Sequence, residues 1–243
     1  MNPNFVKIEP KSLSVAIVGF TGECGKALAK EILSNDLFSR TLLIGRRKVD
    51  FDQEFYKKGE QTIVDFDKLE EYEEVFKNVD VIYCCLGTTR AKAGVDGFRK
   101  VDFDYVNNTA TVAAKNGCKQ FHLVSSSGAN KNSSLLYPQV KGLAEEAVNK
   151  HGFDKTFIYR PKLLIGTDRE ESRVGESIFR ALTKPFQYIA PTLLTTPIDT
   201  LAKAMLTNTF LNNKLSDDKN QLIENSMIFE ASEIYEKFIK SDK

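Results

Sequence analysis

The strongest constraint in this chain is an alternation. Short, nearly continuous apolar runs recur along it, and longer segments with helical spacing separate them. Segments 14–19, 40–46, 61–65, 80–87, 120–126 and 155–161 read as six strands. Between them, residues 26–35, 69–77, 104–115 and 137–150 gather their apolar side chains on one helix face. Strands apolar on both faces belong in a parallel sheet covered on both sides. Right-handed crossovers then make that sheet doubly wound. The predicted fold class is α/β, with a doubly wound, mostly parallel sheet.

After Pro161 the alternation weakens, and Pro185, Pro191 and Pro197 punctuate the chain. Residues 198–211 and 232–240 read as helices, and 226–230 as a late strand. The glycine-containing basic stretch Arg90 to Lys100 reads as a solvated loop, with a lid or partner surface as the alternative. The organisation predicted is an N-terminal extension over 1–13 and one domain over 14–243. Within it, residues 162–243 are expected to form a substrate-side cap over the carboxyl ends of the strands, where such sheets bind ligands.

The first strand ends in Gly19-Phe-Thr-Gly22-Glu-Cys-Gly25, and a helix follows. Three glycines can simply make a tight turn. Between a strand and a helix they also let the backbone approach a pyrophosphate, whose charge sits at the helix N-terminus. Arg46 and Arg47 follow the second strand, where a carboxylate would bind the ribose 2′-hydroxyl of NAD. Two arginines there suit a 2′-phosphate, so the expected cofactor is NADP(H), with a solvated basic turn as the alternative. Asp65 and Phe66, ending the third strand, are expected beside the adenine. Leu86, Gly87 and Thr88, ending the fourth, are expected under the ribose and diphosphate.

Tyr137 and Lys141 are four residues apart on a predicted helix and so share a face. A phenol is a poor base at neutral pH, and a nearby ammonium favours its ionised form. Ser126, at the tip of the fifth strand, lies eleven residues before Tyr137. A serine there can hydrogen-bond a carbonyl oxygen while the phenol donates a proton. A serine turn before an amphipathic helix is the simpler alternative.

The order of these features resembles the atypical short-chain dehydrogenase/reductases, whose nucleotide domain is of the Rossmann type. More narrowly, GECGKALAKEIL, LIGRRK, CCLGTTRAKAG, VDFDYV, LYPQVKG and ESRVGE resemble the oxidoreductase family of the HIV Tat-interacting protein. The resemblance runs from about Val15 to Leu211 and is weaker over the last thirty residues. It implies bound NADPH and hydride transfer to an unidentified carbonyl or activated double bond, with Tyr137 as proton donor. It adds Thr21, Glu23, Cys24, Leu164 and Arg173 to the residues around the cofactor. It also implies protein partners such as transport or transcription factors, and hence a regulatory or redox-sensing NADPH-binding protein as the alternative function. Two positions depart from the pattern: Asp102 stands where an asparagine supports a proton relay, and Lys162 stands where a glycine is common.

Composition narrows the remaining classes. A chain of 243 residues can bury one sizeable core. Its 34 basic and 33 acidic residues leave a net charge of +1, which gives no global attraction to nucleic acid. Four cysteines without a C-x-x-C pair, and only two histidines, point away from a zinc site and toward free thiols in a reducing compartment. No apolar run approaches the ~20 residues of a membrane span. The first residues lack the apolar stretch of a secretory leader. The location expected is cytosolic, with nuclear or membrane-peripheral placement as alternatives.

Overall fold

The computed structural model describes residues 12–35, 38–166, 194–210 and 218–239. The strands are β1 (Ser14–Val18), β2 (Arg40–Gly45), β3 (Glu60–Ile63), β4 (Val81–Cys84), β5 (Gln120–Val124), β6 (Lys155–Arg160), β7 (Leu163–Ile165), β8 (Thr195–Pro197) and β9 (Asn220–Glu224). The α-helices are α1 (Glu23–Asn35), α2 (Arg90–Arg99), α3 (Tyr105–Lys115), α4 (Leu136–Asn149), α5 (Ile198–Phe210) and α6 (Asn225–Ile234). Seven strands form one sheet in the order β3-β2-β1-β4-β5-β6-β9, and every pairing in it is parallel. This is the doubly wound, Rossmann-type sheet that the alternation predicts. β7 and β8 make a separate two-stranded pair.

Side-chain alternation along each strand builds two cores. Val15, Ile17, Tyr83 and Phe157 face α1, α5 and α6. Ala16, Val18, Ile82, Phe121 and Ile158 face α3, α4 and the segment Phe66–Phe76. Burying a large aliphatic or aromatic side chain contributes about 1.5–3 kcal/mol, so both covering layers are held by many such terms. On the first face, the Tyr235 hydroxyl donates to Glu31 Oε2 at 2.9 Å, and Asn35 Nδ2 donates to that hydroxyl at 2.7 Å. The last described segment is thereby tied to α1.

The chain order reverses between β1 and β4, which pair with one another. Crossovers leave in opposite directions from that point, so a crevice opens at the carboxyl ends of these two strands. The glycine turn after β1 and the turn after β4 both line it.

Three local expectations are corrected. Residues 226–230 are not a strand but lie in α6, where Ile228 and Ala231 are buried three residues apart while Met227 is exposed. The late strand is β9, just upstream, paired with β6 so that Thr156 lies opposite Asn220. Arg90 to Arg99 is helical rather than a loop: the Thr89 hydroxyl caps it by accepting the Lys92 amide at 3.3 Å. Gly94 breaks it, with φ 70° and ψ −173°, a conformation open to glycine but costly for other residues. The helix expected over 69–77 is a 3₁₀ segment, Phe66–Phe76, broken at Lys68 and Tyr72. Most of the N-terminal extension and residues 167–193 lie outside the described residues. Of the rest of 162–243, β9 and α5 are built into the main sheet and its covering layer.

Candidate functional site

Each of the three glycines after β1 has a different job. Gly19 has φ 84°, and a Cβ there would lie 3.0 Å from the Cys85 carbonyl carbon and oxygen. It makes the tight turn and brings the β4 end close. A Cβ on Gly25 would come within 2.4 Å of the Gly19 oxygen and 2.7 Å of Phe20 Cα. Gly25 is buried and serves the packing of α1 against the turn. A Cβ on Gly22 would meet only the Gly19 oxygen, at 3.5 Å. That open face, at the start of a 13-residue helix, is a cradle where backbone amides and the helix dipole favour an anion.

The other loop residues support this turn. Thr21, Glu23 and Cys24 are half-buried. The Glu23 carboxylate lies 3.5 Å from Lys26 Nζ, which tempers its charge beside the cradle. Cys24 and Cys85 pack against the core of the α1 face. Burial, and then the neighbouring Cys24 and Cys84, push the Cys85 thiol well above its ordinary range. A thiol held neutral is a packing group rather than a nucleophile.

At the tip of β2, Arg46 and Arg47 are exposed. The Asp67 carboxylate nearby is held below its usual range, first by its hydrogen bond from Lys100 and at longer range by Arg46. Asp65 is exposed and accepts the Asp67 amide at 2.9 Å. Phe66 is 1% exposed, and its ring stacks on Tyr105 with centroids 5.2 Å apart. Its ring therefore belongs to the core.

The turn after β4 sits over a buried ion pair. Lys141 Nζ is 2.8 Å from Asp102 Oδ1, and the two side chains are 8% and 1% exposed. The Thr88 amide donates to Asp102 Oδ2 at 2.8 Å. A Cβ on Gly87 would lie 3.5 Å from Asp102 Oδ1 and 3.9 Å from Lys141 Nζ. Burial pulls the Lys141 ammonium down, but Asp102 and the Tyr137 phenol outweigh it, so the lysine stays charged above its ordinary range. Asp102, at the position where the resemblance implies an asparagine, thus contacts the lysine directly. The sequence singles it out only as a departure from a pattern, because its partner is thirty-nine positions away.

Tyr137 opens α4 and is 48% exposed, so its hydroxyl can reach a bound molecule. Its ring stacks on Phe98 of α2, with centroids 5.5 Å apart and planes at 21°. Ser126 is half-buried and its hydroxyl donates to the Ser127 carbonyl at 3.2 Å, a bond easily exchanged for a ligand. Ser125 is the structural serine: its hydroxyl donates to the buried Glu145 at 2.5 Å, and Arg160 Nη2 donates to the same carboxylate at 2.6 Å. A Cβ on Gly142 would lie 2.2 Å from the Lys131 nitrogen, so the segment after the serines rests directly on α4. Leu164 of β7 packs at the edge of the α1-face core. The Lys162 amide donates to Thr196 Oγ1 at 3.0 Å. Arg173 lies outside the described residues.

A parallel sheet in this strand order, with a glycine cradle at its reversal, defines a Rossmann-type nucleotide-binding fold. The chain belongs to the NAD(P)H-binding family, whose model matches residues 19–182, in the branch that contains the rat protein HTATIP2. It is 47% identical to HTATIP2 over 217 residues, which cover 88% of this chain and 87% of that protein. It is also 35% identical over 175 residues to "Protein FMP52, mitochondrial" of Candida albicans, covering 70% and 75% of the two chains. Among solved structures, the fold is similar to UDP-N-acetylglucosamine 4-epimerase from Bacillus cereus, with TM-score 0.63, 16% identity and coverage of 90% and 84%. It is also similar to MoeE5 in complex with UDP-glucose and NAD, with TM-score 0.66, 11% identity and coverage of 91% and 81%.

The relatives correct one expectation. Several fungal proteins 33–35% identical to this chain are named mitochondrial, which overturns a cytosolic location inferred from the lack of a visible leader. No helix among the described residues is long and apolar enough to cross a membrane.

Proposed function

We propose that this protein is an NADPH-dependent oxidoreductase that reduces a carbonyl or activated double bond, with Tyr137 as the proton donor. The observation that carries the reading is the half-exposed Tyr137 beside a charged Lys141, at the carboxyl ends of the strands flanking the chain reversal. The cradle fits the cofactor. Gly22 leaves open the space a side chain would fill, and Gly87 does the same over the Asp102–Lys141 pair. The amides at the start of α1 would hold the pyrophosphate, Arg46 and Arg47 the 2′-phosphate, and Lys141 the ribose hydroxyls.

NADPH, when bound, supplies the hydride. The chain's own groups do the rest. Ser126 orients the substrate oxygen by a hydrogen bond, and Tyr137 donates the proton that this oxygen acquires. Lys141 keeps a positive charge beside the phenol, which favours the ionised form left after the proton departs. The family resemblance adds Leu164 and Arg173 to the residues that hold the cofactor.

Titration calorimetry with NADPH and NADH, followed by NADPH consumption against a panel of aldehydes, ketones and quinones, tests the reading. Tighter binding of NADPH together with turnover of one substrate class is the expected result. Saturable NADPH binding without turnover of any panel member would move the function to a regulatory protein that acts through protein partners.

A further inference from the structure

Two side chains outside the Tyr137, Lys141 and Ser126 set press against it, and both come from one stretch of chain. Phe98, 1% exposed, lies under the ring of Tyr137. Asp102, 1% exposed, pairs with Lys141 and accepts the Thr88 amide. Phe98 and Asp102 are four residues apart, as are Tyr137 and Lys141, so the two stretches meet in matched steps. The match passes through a wide turn, Lys100–Asp104, in which the Tyr105 amide donates to the Lys100 carbonyl five residues back. Such π-type turns are uncommon and concentrate at functional sites.

We propose that the helical run from Arg90 to Asp104 is a positioning clamp: Phe98 fixes the ring of Tyr137, and Asp102 fixes the ammonium of Lys141 together with the Gly87–Thr88 turn. The inference rests on the oxidoreductase reading for its consequence in catalysis, though not for its geometry. A buried ion pair is poor evidence of stability, since well-packed apolar residues of the same volume often do as well. Its effect here is to fix direction. One Asp102 oxygen holds the lysine and the other holds the turn, so the two sides of the site share a single anchor. On its outer side the wide turn is pinned by Lys100, whose ammonium is 2.7 Å from Asp67 Oδ1.

The test reads the clamp without needing a substrate. Lysine carrying ¹³C at Cε allows Lys141, assigned through Lys141→Met, to be titrated in the full chain and in Asp102→Asn. The titratable groups around Lys141 are Asp102, Tyr137 and Cys84. The Lys141 midpoint moves down in Asp102→Asn, and NADPH affinity falls roughly tenfold, because a charge-assisted anchor of the turn is lost. In protein containing 3-fluorotyrosine, the Tyr137 ¹⁹F resonance carries a ring-current shift that disappears in Phe98→Leu and returns in Phe98→Tyr. If a panel substrate is reduced, Phe98→Leu lowers kcat while leaving the KM for NADPH unchanged. An unmoved Lys141 midpoint in Asp102→Asn overturns the clamp. If Asp102→Asn does not fold, an unchanged Tyr137 resonance in Phe98→Leu overturns it. Moved signals without turnover leave the clamp standing and overturn the oxidoreductase reading instead.

Discussion

Two of the polar clusters buried among the described residues lie on opposite faces of the sheet and differ in charge and in access to solvent. On the α1 face, Tyr83 of β4, His122 of β5 and Tyr159 of β6 lie side by side, all fully buried. His122 Nδ1 is 3.0 Å from the Tyr159 hydroxyl, which also accepts Asn208 Nδ2 at 3.2 Å, and Tyr83 is hydrogen-bonded to Thr209. Burial pushes both tyrosines far above their ordinary range and His122 down to about 3, so every member stays neutral. On the other face, the Lys141 ammonium pairs with Asp102 and feels the phenol of Tyr137, which is half-exposed. Both clusters contain a tyrosine beside a titratable partner. Access and charge separate them: a closed neutral network holds strands together, and the charged one has the open end that the proposed proton transfer requires.

The largest effect expected is on the open end. Tyr137→Phe should lower turnover by ~10²–10⁴-fold, the contribution of a positioned acid, while calorimetry shows NADPH affinity unchanged. Retained turnover would erase the distinction between the clusters. Lys141→Met should strand Asp102 as an unpaired buried charge, at a cost of about 3–5 kcal/mol in denaturant unfolding. The double change Lys141→Met with Asp102→Leu should recover much of that loss. A small single-mutant cost would mean that the pair is not the anchor.

A third change asks what the open cluster serves. Replacing both Arg46 and Arg47 with Ala should shrink the preference for NADPH over NADH by ~10–100-fold, since hydrogen bonds to charged groups contribute about 1.5–3 kcal/mol. Equal affinities for the two cofactors in the unmodified protein would remove the 2′-phosphate from the account. The last effect, of similar size, belongs to the closed cluster. His122 has a folded-state value of about 3 against ~6.5 in the unfolded chain. Below ~6.5 the unfolded chain takes up a proton that the folded one refuses, so this contribution to stability is complete above that pH and is lost as pH falls toward 3. By pH 5 the unmodified protein should lose about 2 kcal/mol more than His122→Gln does, as read by parallel denaturant titrations.

The sheet was readable from sequence because both-face burial writes itself as apolar runs, as in Val15–Val18 and Val81–Cys84. The exceptions follow from weak or mixed signals. β9 is an edge strand with only Leu222 and Ile223 apolar, so the neighbouring Met-Ile-Phe of α6 looked more strand-like than the strand itself. In α2, two glycines and three basic residues hide a helix whose only buried side chain is Phe98. The motif residues of the site were legible as types and spacings. The contacts that orient them were not, because Asp102 and Phe98 meet their partners across a sequence gap of thirty-nine residues in each case. The burial of Phe66 was illegible for a related reason: nothing in the dipeptide Asp65-Phe66 tells which of its side chains turns inward.

The contact at Gly142 bears on how freely the site can be altered. With the Lys131 backbone lying where a Cβ would be, and the Asn130 amide donating to the Pro138 carbonyl at 2.9 Å, the middle of the loop between Ser126 and Leu135 is fixed against α4. The interval between serine and tyrosine is a fixed ruler, so insertions there would misplace one group relative to the other.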